Sequence, residues 1–209
     1  MSEHDIETMA DLALKGTIID WITPKDQHLD PPLHRNIKST RGFNHPRTGR
    51  LLCPAGLNWD DPDIQAKLKT GEIQVTSNQW PIFIYANFTY DYGNPWQGLL
   101  HSNLLVQAYK HISLLPSSVD SSTEFRATRS SNTCLHGMSR VTHCSILYIA
   151  TQVCFALLSQ SVFSRTGTVT DLEGFFNTIM ESLQDTNDIE ETNDLLAWWD
   201  LKIFPLSLR

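Results

Sequence analysis

Apolar residues recur at helical spacing in three long stretches of this 209-residue chain. In the first, Pro95–Leu115, the residues Leu100, Leu104, Ala108 and Ile112 repeat every four positions. That spacing places them on one face of a helix, with polar residues on the other. The first stretch therefore predicts a helix with one face in the core.

The other two stretches predict the centre of the fold and one of its walls. Val141–Leu158 is apolar almost all round, which indicates a buried, central helix. Thr170–Leu183 begins with TDLE, a capping box in which Thr170 caps the helix and Glu173 reaches back. A row of large apolar residues follows it on one face: Leu172, Phe175, Phe176, Ile179, Met180 and Leu183.

Three further helices are shorter or less regular. Asp5–Ile22 ends at Thr23-Pro24, because the residue before a proline disfavours helical backbone. The segment WDDPDIQAKLKTG has an aspartate cap, Pro62 at the first helical position and Gly71 just past the end. Ile189–Trp199 predicts the last helix, anchored by paired leucines and tryptophans.

The remaining segments are irregular. Residues 25–59 are too rich in proline and glycine for a long element. QWPIFIYANFTY alternates weakly, so a short strand or hairpin near residues 80–90 and an extended packed segment both stay open. The sequence predicts a mostly α fold, a single helical domain with a long irregular N-terminal arm. Its parts are an N-terminal helix (1–24), the arm (25–59) and a helical core domain (60–209), all in one folding unit.

Composition supports an ordered domain and limits its setting. Hydrophobic residues make up 41% of the chain, enough for a real core. The four cysteines form no CxxC pair and do not suggest a disulfide scaffold, so we expect an intracellular protein of the cytoplasm or nucleus. The longest apolar run, SILYIATQVCFALL, is shorter than a membrane span, so we expect no membrane partner.

The net charge of −7 hides a strong segregation of charge. The acidic segment, residues 171–200, contains no lysine or arginine. The basic segment is the part of the arm from Pro32 to Arg50. It has no acid and carries five cations: Arg35, Lys38, Arg41, Arg47 and Arg50. One interpretation is internal, with the arm lying across the acidic helices. The other is an anion-binding surface, since arginine forks suit phosphate or carboxylate.

A polar loop between two apolar helices supplies the second half of that surface. Residues 127–140 read ATRSSNTCLHGMSR, a run of hydroxyls, arginines and a glycine whose backbone N–H groups suit an anion. Phe43 and His45, between the arm cations, could stack on bases. The candidate ligand-binding residues are Arg126, Arg129, Asn132 and His136 in the loop and Arg35, Lys38 and Arg41 in the arm. The cations would neutralise phosphate, Asn132 would orient the ligand and His136 would donate a hydrogen bond.

Other chemistry has weaker signals. The histidines and cysteines do not fall at finger or ribbon spacing, so no metal is expected. Serines, Cys134 and His136 crowd one loop, but no Gly-x-Ser-x-Gly elbow or phosphate-loop motif is present. We expect no cofactor, and catalytic residues cannot be assigned.

Four motifs carry a resemblance that covers His34 to Pro205: GFNHPRTGRLLCPAG, GLLHSNLLVQAYKHI, ATRSSNTCLHGMSRVT and DLLAWWDLKIFP. In this order they resemble a multi-copy family of uncharacterised proteins of mushroom-forming (basidiomycete) fungi, classed as a domain of unknown function. The resemblance implies an association with mobile elements and supplies no catalytic residues.

Three hypotheses follow. The leading one is a non-enzymatic binding module for an anionic partner, with DNA or RNA first. The second is an enzyme with a pocket under the 126–140 loop, using His136 as acid or base. The third is a structural or protein-interaction domain, including self-association, in which arm cations reach residues 171–200.

The leading hypothesis predicts salt-dependent binding. Affinity of the purified chain for labelled DNA or RNA should fall steeply with salt, because phosphate contacts release counterions. The Arg126→Ala/Arg129→Ala variant should lose part of that slope in the same titration. Equal binding by the variant together with earlier melting would make the loop arginines internal braces.

Overall fold

The computed structural model describes residues 14–113, 140–160, 171–185 and 188–205. These ranges contain seven α-helices and three short 3-10 turns. In chain order the helices are α1 (residues 14–22), α2 (Pro46–Leu52), α3 (Pro62–Thr70), α4 (Asn103–Ser113), α5 (His143–Leu157), α6 (Leu172–Leu183) and α7 (Ile189–Ile203). The predicted mostly α fold class is confirmed.

Helix α5 is the centre of the core. Ten of its fifteen residues are buried, among them the consecutive Ile149, Ala150 and Thr151, so most of the helix surface is covered, although Tyr148 is partly exposed. It packs against α2, α4 and α6, and α4 in turn packs against α7. The all-round apolar pattern predicted this position, because a helix with no polar face can be accommodated only inside the core.

Local signals set the helix ends. Asp61 accepts a hydrogen bond from the Asp63 N–H at 2.9 Å, and Gly71 ends α3 with a left-handed φ of 78°. Thr142 and Ser145 form a reciprocal capping box at the start of α5. The N-cap predicted at Thr170 is wrong by one residue, since α6 begins at Leu172 and its N-cap is Asp171. The Asp171 carboxylate accepts from the Gly174 N–H at 2.8 Å.

Two sequence predictions change in this part of the structure. The segment near residues 80–90 is not a strand or hairpin but two 3-10 turns, Ile82–Ile84 and Ala86–Phe88. Positive φ values at Asn87 and Phe88, 54° and 56°, interrupt any extended backbone there. Helix α4 begins at Asn103 rather than Pro95, and Leu100 just before it has a φ of 57°.

The N-terminal part is more ordered than its composition predicts. Of the first predicted helix, residues 14–22 are helical, and residues 5–13 lie outside the described ranges. The arm contains the seven-residue helix α2, which His45 caps by accepting from the Arg47 N–H. Proline suits this helix because Pro46 stands at its first position, where no N–H is needed.

A small satellite core joins α2 to α3. It consists of Cys53, Trp59 and Leu68, with Phe43 stacked on Trp59 at 6.2 Å between ring centroids. Gly49 of α2 lies directly against the Trp59 indole, so a side chain at position 49 would overlap the ring. The glycine is therefore required by close packing.

Gly49→Ala should destabilise the domain by about 1–3 kcal/mol, because the added Cβ must displace a buried tryptophan. Urea unfolding measures this loss. Gly56→Ala is the matched control, since a Cβ there meets nothing within 4 Å. Equal stability of the two variants would contradict the packing described for Trp59.

Candidate functional site

The seven predicted ligand-binding residues divide into two groups. The four loop residues, Arg126, Arg129, Asn132 and His136, lie outside the described residues. The three arm residues are described, and they have separate roles. Arg35 is exposed, whereas Lys38 and Arg41 are buried at 8% and 1% exposure.

Lys38 and Arg41 bind the C-terminal end of α5. The Lys38 ammonium donates to the Phe155 carbonyl at 2.7 Å and lies 3.5 Å from the centroid of the Phe155 ring. The Arg41 guanidinium donates to the Ala156 carbonyl at 2.7 Å. The last carbonyls of a helix have no partner within it and carry partial negative charge, so two cations stabilise this end.

Arg41 also orders the arm itself. Its second terminal nitrogen donates to the backbone carbonyls of Arg35 and His34, at 3.0 and 3.3 Å. Burial lowers the pKa of Arg41, but a guanidinium stays charged in proteins. One buried cation therefore connects the arm backbone to the central helix, and neither Arg41 nor Lys38 lies on an open surface.

The other arm cations are also held within the chain. Arg35 pairs with Asp20 at 2.6 Å, and Arg50 pairs with Asp60. The Arg47 Nε donates to the Ile22 carbonyl at 2.7 Å, at the end of α1. The described contacts of the arm cations thus lead to α1, to the end of α5 and to Asp60 just before α3.

These contacts differ from the ones expected of a structural arm. The third hypothesis expected arm cations to reach residues 171–200. The three ion pairs between described residues are Arg35–Asp20, Arg50–Asp60 and Lys67–Asp63, and none of these involves the acidic segment. Lys38 and Arg41 of the arm bind backbone carbonyls at the end of a buried helix. These carbonyls carry no formal charge, so the distribution of charged residues along the sequence does not predict the contact.

The two rings proposed to stack on bases are used elsewhere. Phe43 is half-buried against Trp59, and His45 is 1% exposed. The His45 Nε2 lies 2.7 Å from the Pro31 carbonyl, while its Nδ1 accepts from Arg47 N–H. Both rings therefore stabilise the arm.

Two of the three described cysteines, Cys53 and Cys154, are buried thiols of low reactivity. Burial raises the pKa of Cys154 to about 12 and that of Cys53 to about 11, so both thiols stay protonated at neutral pH. Cys144 is exposed. In the described part of the chain, no three histidine, cysteine or acidic side chains come together as a metal site would require.

One concave feature of the described residues is an open groove of about 310 Å³. Two chain segments, 54–57 and 78–80, line it together with Tyr85, Tyr90 and Pro95. The segments are joined by backbone hydrogen bonds from Ala55 N–H to the Trp80 carbonyl and from Ile82 N–H to the Cys53 carbonyl, both at 2.9 Å. We call this feature the aromatic groove.

Rigid rings form much of the aromatic groove. Tyr85 is buried, and Tyr90 packs edge-on against it with ring centroids 5.1 Å apart. Tyr92 packs on Tyr90 in the same way, also at 5.1 Å, and its hydroxyl donates to the Gly56 carbonyl at 3.4 Å. The Trp80 Nε1–H donates to the Thr178 hydroxyl of α6 at 3.3 Å, which fixes the indole.

The polar groups of the groove are amides and hydroxyls. The Gln79 side-chain oxygen accepts from the Thr76 N–H and hydroxyl, and the Asn78 oxygen accepts from the same hydroxyl. No group in the described ranges accepts from either amide nitrogen. Burial raises the pKa of Tyr85, so its hydroxyl is protonated at neutral pH. The groove thus offers stacking surfaces and neutral hydrogen-bond donors.

Sequence reasoning missed the aromatic groove. Its signal is the density of rings in QWPIFIYANFTYDYG, a segment for which the sequence leaves a strand and an extended packed segment open. The second lining segment, 54–57, lies more than twenty positions earlier, so their meeting depends on tertiary structure.

Fold and site together define a mostly helical domain with a braced arm and an aromatic surface groove. The chain belongs to DUF6698, a family of unknown function, and the match covers residues 6–204. No curated protein and no solved structure matches it. Within the described ranges, no helix is long and apolar enough to cross a membrane.

Arg41→Met should lower the free energy of unfolding by about 2–4 kcal/mol, because the buried Ala156 carbonyl and the part-buried carbonyls of His34 and Arg35 lose their donor. Urea unfolding followed by circular dichroism measures the change. Arg35→Met is the control in the same arm. Its ion pair is largely exposed, so the loss should stay below about 1 kcal/mol. A loss at Arg41 no larger than at Arg35 would show that Arg41 does not brace the arm.

Proposed function

We propose that this domain is a non-enzymatic binding module whose partner is an extended protein segment held in the aromatic groove. The observation that carries the proposal is the groove itself, a recess lined by rings that are fixed by their own contacts. Its volume of about 310 Å³ lies at the lower end of the range for ligand sites, roughly 300–1,000 Å³. A short segment of chain suits that size.

The chemistry of the lining favours a protein segment. Tyrosine and tryptophan dominate the energetics of protein interfaces, since they bury large areas at small conformational cost. The amide nitrogens of Asn78 and Gln79 can donate to backbone carbonyls of a bound chain. No lining residue carries a formal charge, so the groove does not select a phosphate.

The lining also favours binding over acid–base catalysis. Its buried ionisable group, Tyr85, keeps its proton at neutral pH and forms part of the wall. The enzyme alternative depends on His136 and a pocket under the 126–140 loop. That region lies outside the described residues, so the alternative has no described pocket to support it.

Nucleic acid is the second candidate, and the charge pattern of the loop favours it. With Lys38 and Arg41 buried, the hypothesis now depends on Arg126 and Arg129, together with Arg140, which is exposed just before α5. An association with mobile elements, which the resemblance to basidiomycete proteins implies, would make DNA or RNA a natural partner. Either partner fits a module working in the cytoplasm or nucleus, as the cysteine pattern indicates.

Peptides selected from a random library on the intact chain should bind through the groove. Tyr90→Ala should weaken them by about tenfold or more, because an aromatic anchor at the centre of a site is lost. Fluorescence anisotropy of the labelled peptides measures the affinity. Tyr148→Ala removes a partly exposed tyrosine outside the groove lining and should leave binding unchanged.

Peptides that bind wild type and Tyr90→Ala equally would place the partner elsewhere on the domain. Circular dichroism of each variant checks that the fold is kept. If no peptide is selected at all, the groove is not a site for protein segments.

A further inference from the structure

The arrangement of the tyrosines restricts what can bind in the aromatic groove. Tyr85, Tyr90 and Tyr92 form a series in which neighbouring rings stand nearly perpendicular, at 79° and 76°. Tyr85 and Tyr90 line the groove, Tyr85 almost fully buried, and Tyr92 packs beside them, so the perpendicular rings leave notches between a ring face and a ring edge. Pro54 and Pro95 add rigid apolar surface to the lining. Flat, stiff side chains fit notches of this kind better than long flexible ones.

The free donors add a second restriction. The oxygens of Asn78 and Gln79 are occupied by Thr76, which leaves their amide nitrogens to donate outward. A partner must therefore offer acceptors that are not already bonded. A polyproline II helix does so, because its backbone makes no internal hydrogen bonds and its carbonyls point outward.

Charge gives the third restriction. The lining is uncharged, and the charged residue next to the tyrosine series is Asp91, an exposed acid between Tyr90 and Tyr92. Its carboxylate accepts from the Gly93 N–H at 2.8 Å, and along the chain it directly follows Tyr90 of the groove lining. An acid in this place attracts a basic group of the partner and repels phosphate.

We propose that the aromatic groove binds a proline-rich segment in the polyproline II conformation, with a lysine or arginine beside the prolines that pairs with Asp91. This inference rests on the proposed function and specifies its partner. Grooves lined by aromatic side chains recognise such segments because the polyproline helix is already ordered, so little entropy is lost on binding. Proline rings enter the notches, and the carbonyls accept from Asn78 and Gln79.

The test uses the full chain and three labelled ten-residue peptides in an anisotropy titration. The first contains proline pairs and leucine with a lysine at each end. In the second, alanine replaces every proline, and in the third, glutamate replaces both lysines. Two variants report on the groove. Tyr90→Ala removes a ring, and Gln79→Glu keeps the oxygen that accepts from Thr76 but removes the amide donor.

The proline peptide with lysines should bind most tightly. The affinity of each altered peptide should be lower by about tenfold or more. At about 0.5 M salt, which screens the attraction between the added carboxylate and the peptide lysines, Gln79→Glu should reduce affinity by roughly three- to tenfold, as expected for one lost hydrogen bond. Asp91→Asn should remove the preference for lysine over glutamate. Tyr148→Ala remains the control for a tyrosine outside the lining.

Three results would overturn the proposal, and they are distinguishable. If proline and alanine peptides bind equally and Tyr90→Ala abolishes both, the groove binds protein segments without selecting polyproline. If no peptide, designed or selected, depends on Tyr90, the proposed function fails as well. Displacement of the peptide by a single-stranded oligonucleotide, with no preference for lysine, would assign the groove to nucleic acid.

Discussion

The structure depends on how the C-terminal end of the buried helix α5 is satisfied. A helix apolar on every side can enter the core, but its last carbonyls enter with it, and a buried carbonyl without a donor is costly. Lys38 and Arg41 supply the donors for Phe155 and Ala156. Both cations come from an arm more than a hundred residues earlier in the chain. The same contact therefore completes the core and orders the arm.

Order in the arm has consequences for the surface. Once Arg41 holds the turn before α2, this helix can pack against α5, and the residues that follow it, 54–57, meet segment 78–80 to line the aromatic groove. The charge segregation of the chain acquires a different meaning. Several cations of the arm bond to backbone carbonyls or pair with nearby acids of the chain. Most acids of α6 and α7, by contrast, are exposed on the surface. A basic segment in a sequence is thus not by itself a basic surface.

The helical fold could largely be predicted from local pattern, and the candidate site could not. Helix α5 was recognisable because it is apolar almost all round, and α3 because Asp61, Pro62 and Gly71 act within a few residues of its ends. The burial of Arg41 has no local signal, since its partners are backbone carbonyls that every residue possesses. The groove likewise requires two distant segments to meet. The segment that contains its tyrosines predicts, by itself, only a short strand or an extended packed segment. Positive φ at Asn87 and Phe88 decided against that strand.

Amide hydrogen exchange of the intact chain, followed by nuclear magnetic resonance, tests most directly whether the arm and the buried helix form one unit. The amides to follow are Arg41, Gly49 and Cys53 in the arm and Leu158 at the end of α5, all of which are hydrogen-bonded. If the two cations connect arm and helix, these amides open with similar free energies, and Arg41→Met lowers all of them together. If the arm amides exchange near free-chain rates while α5 stays protected, the arm is not part of the core and the structural role given to Lys38 and Arg41 is wrong.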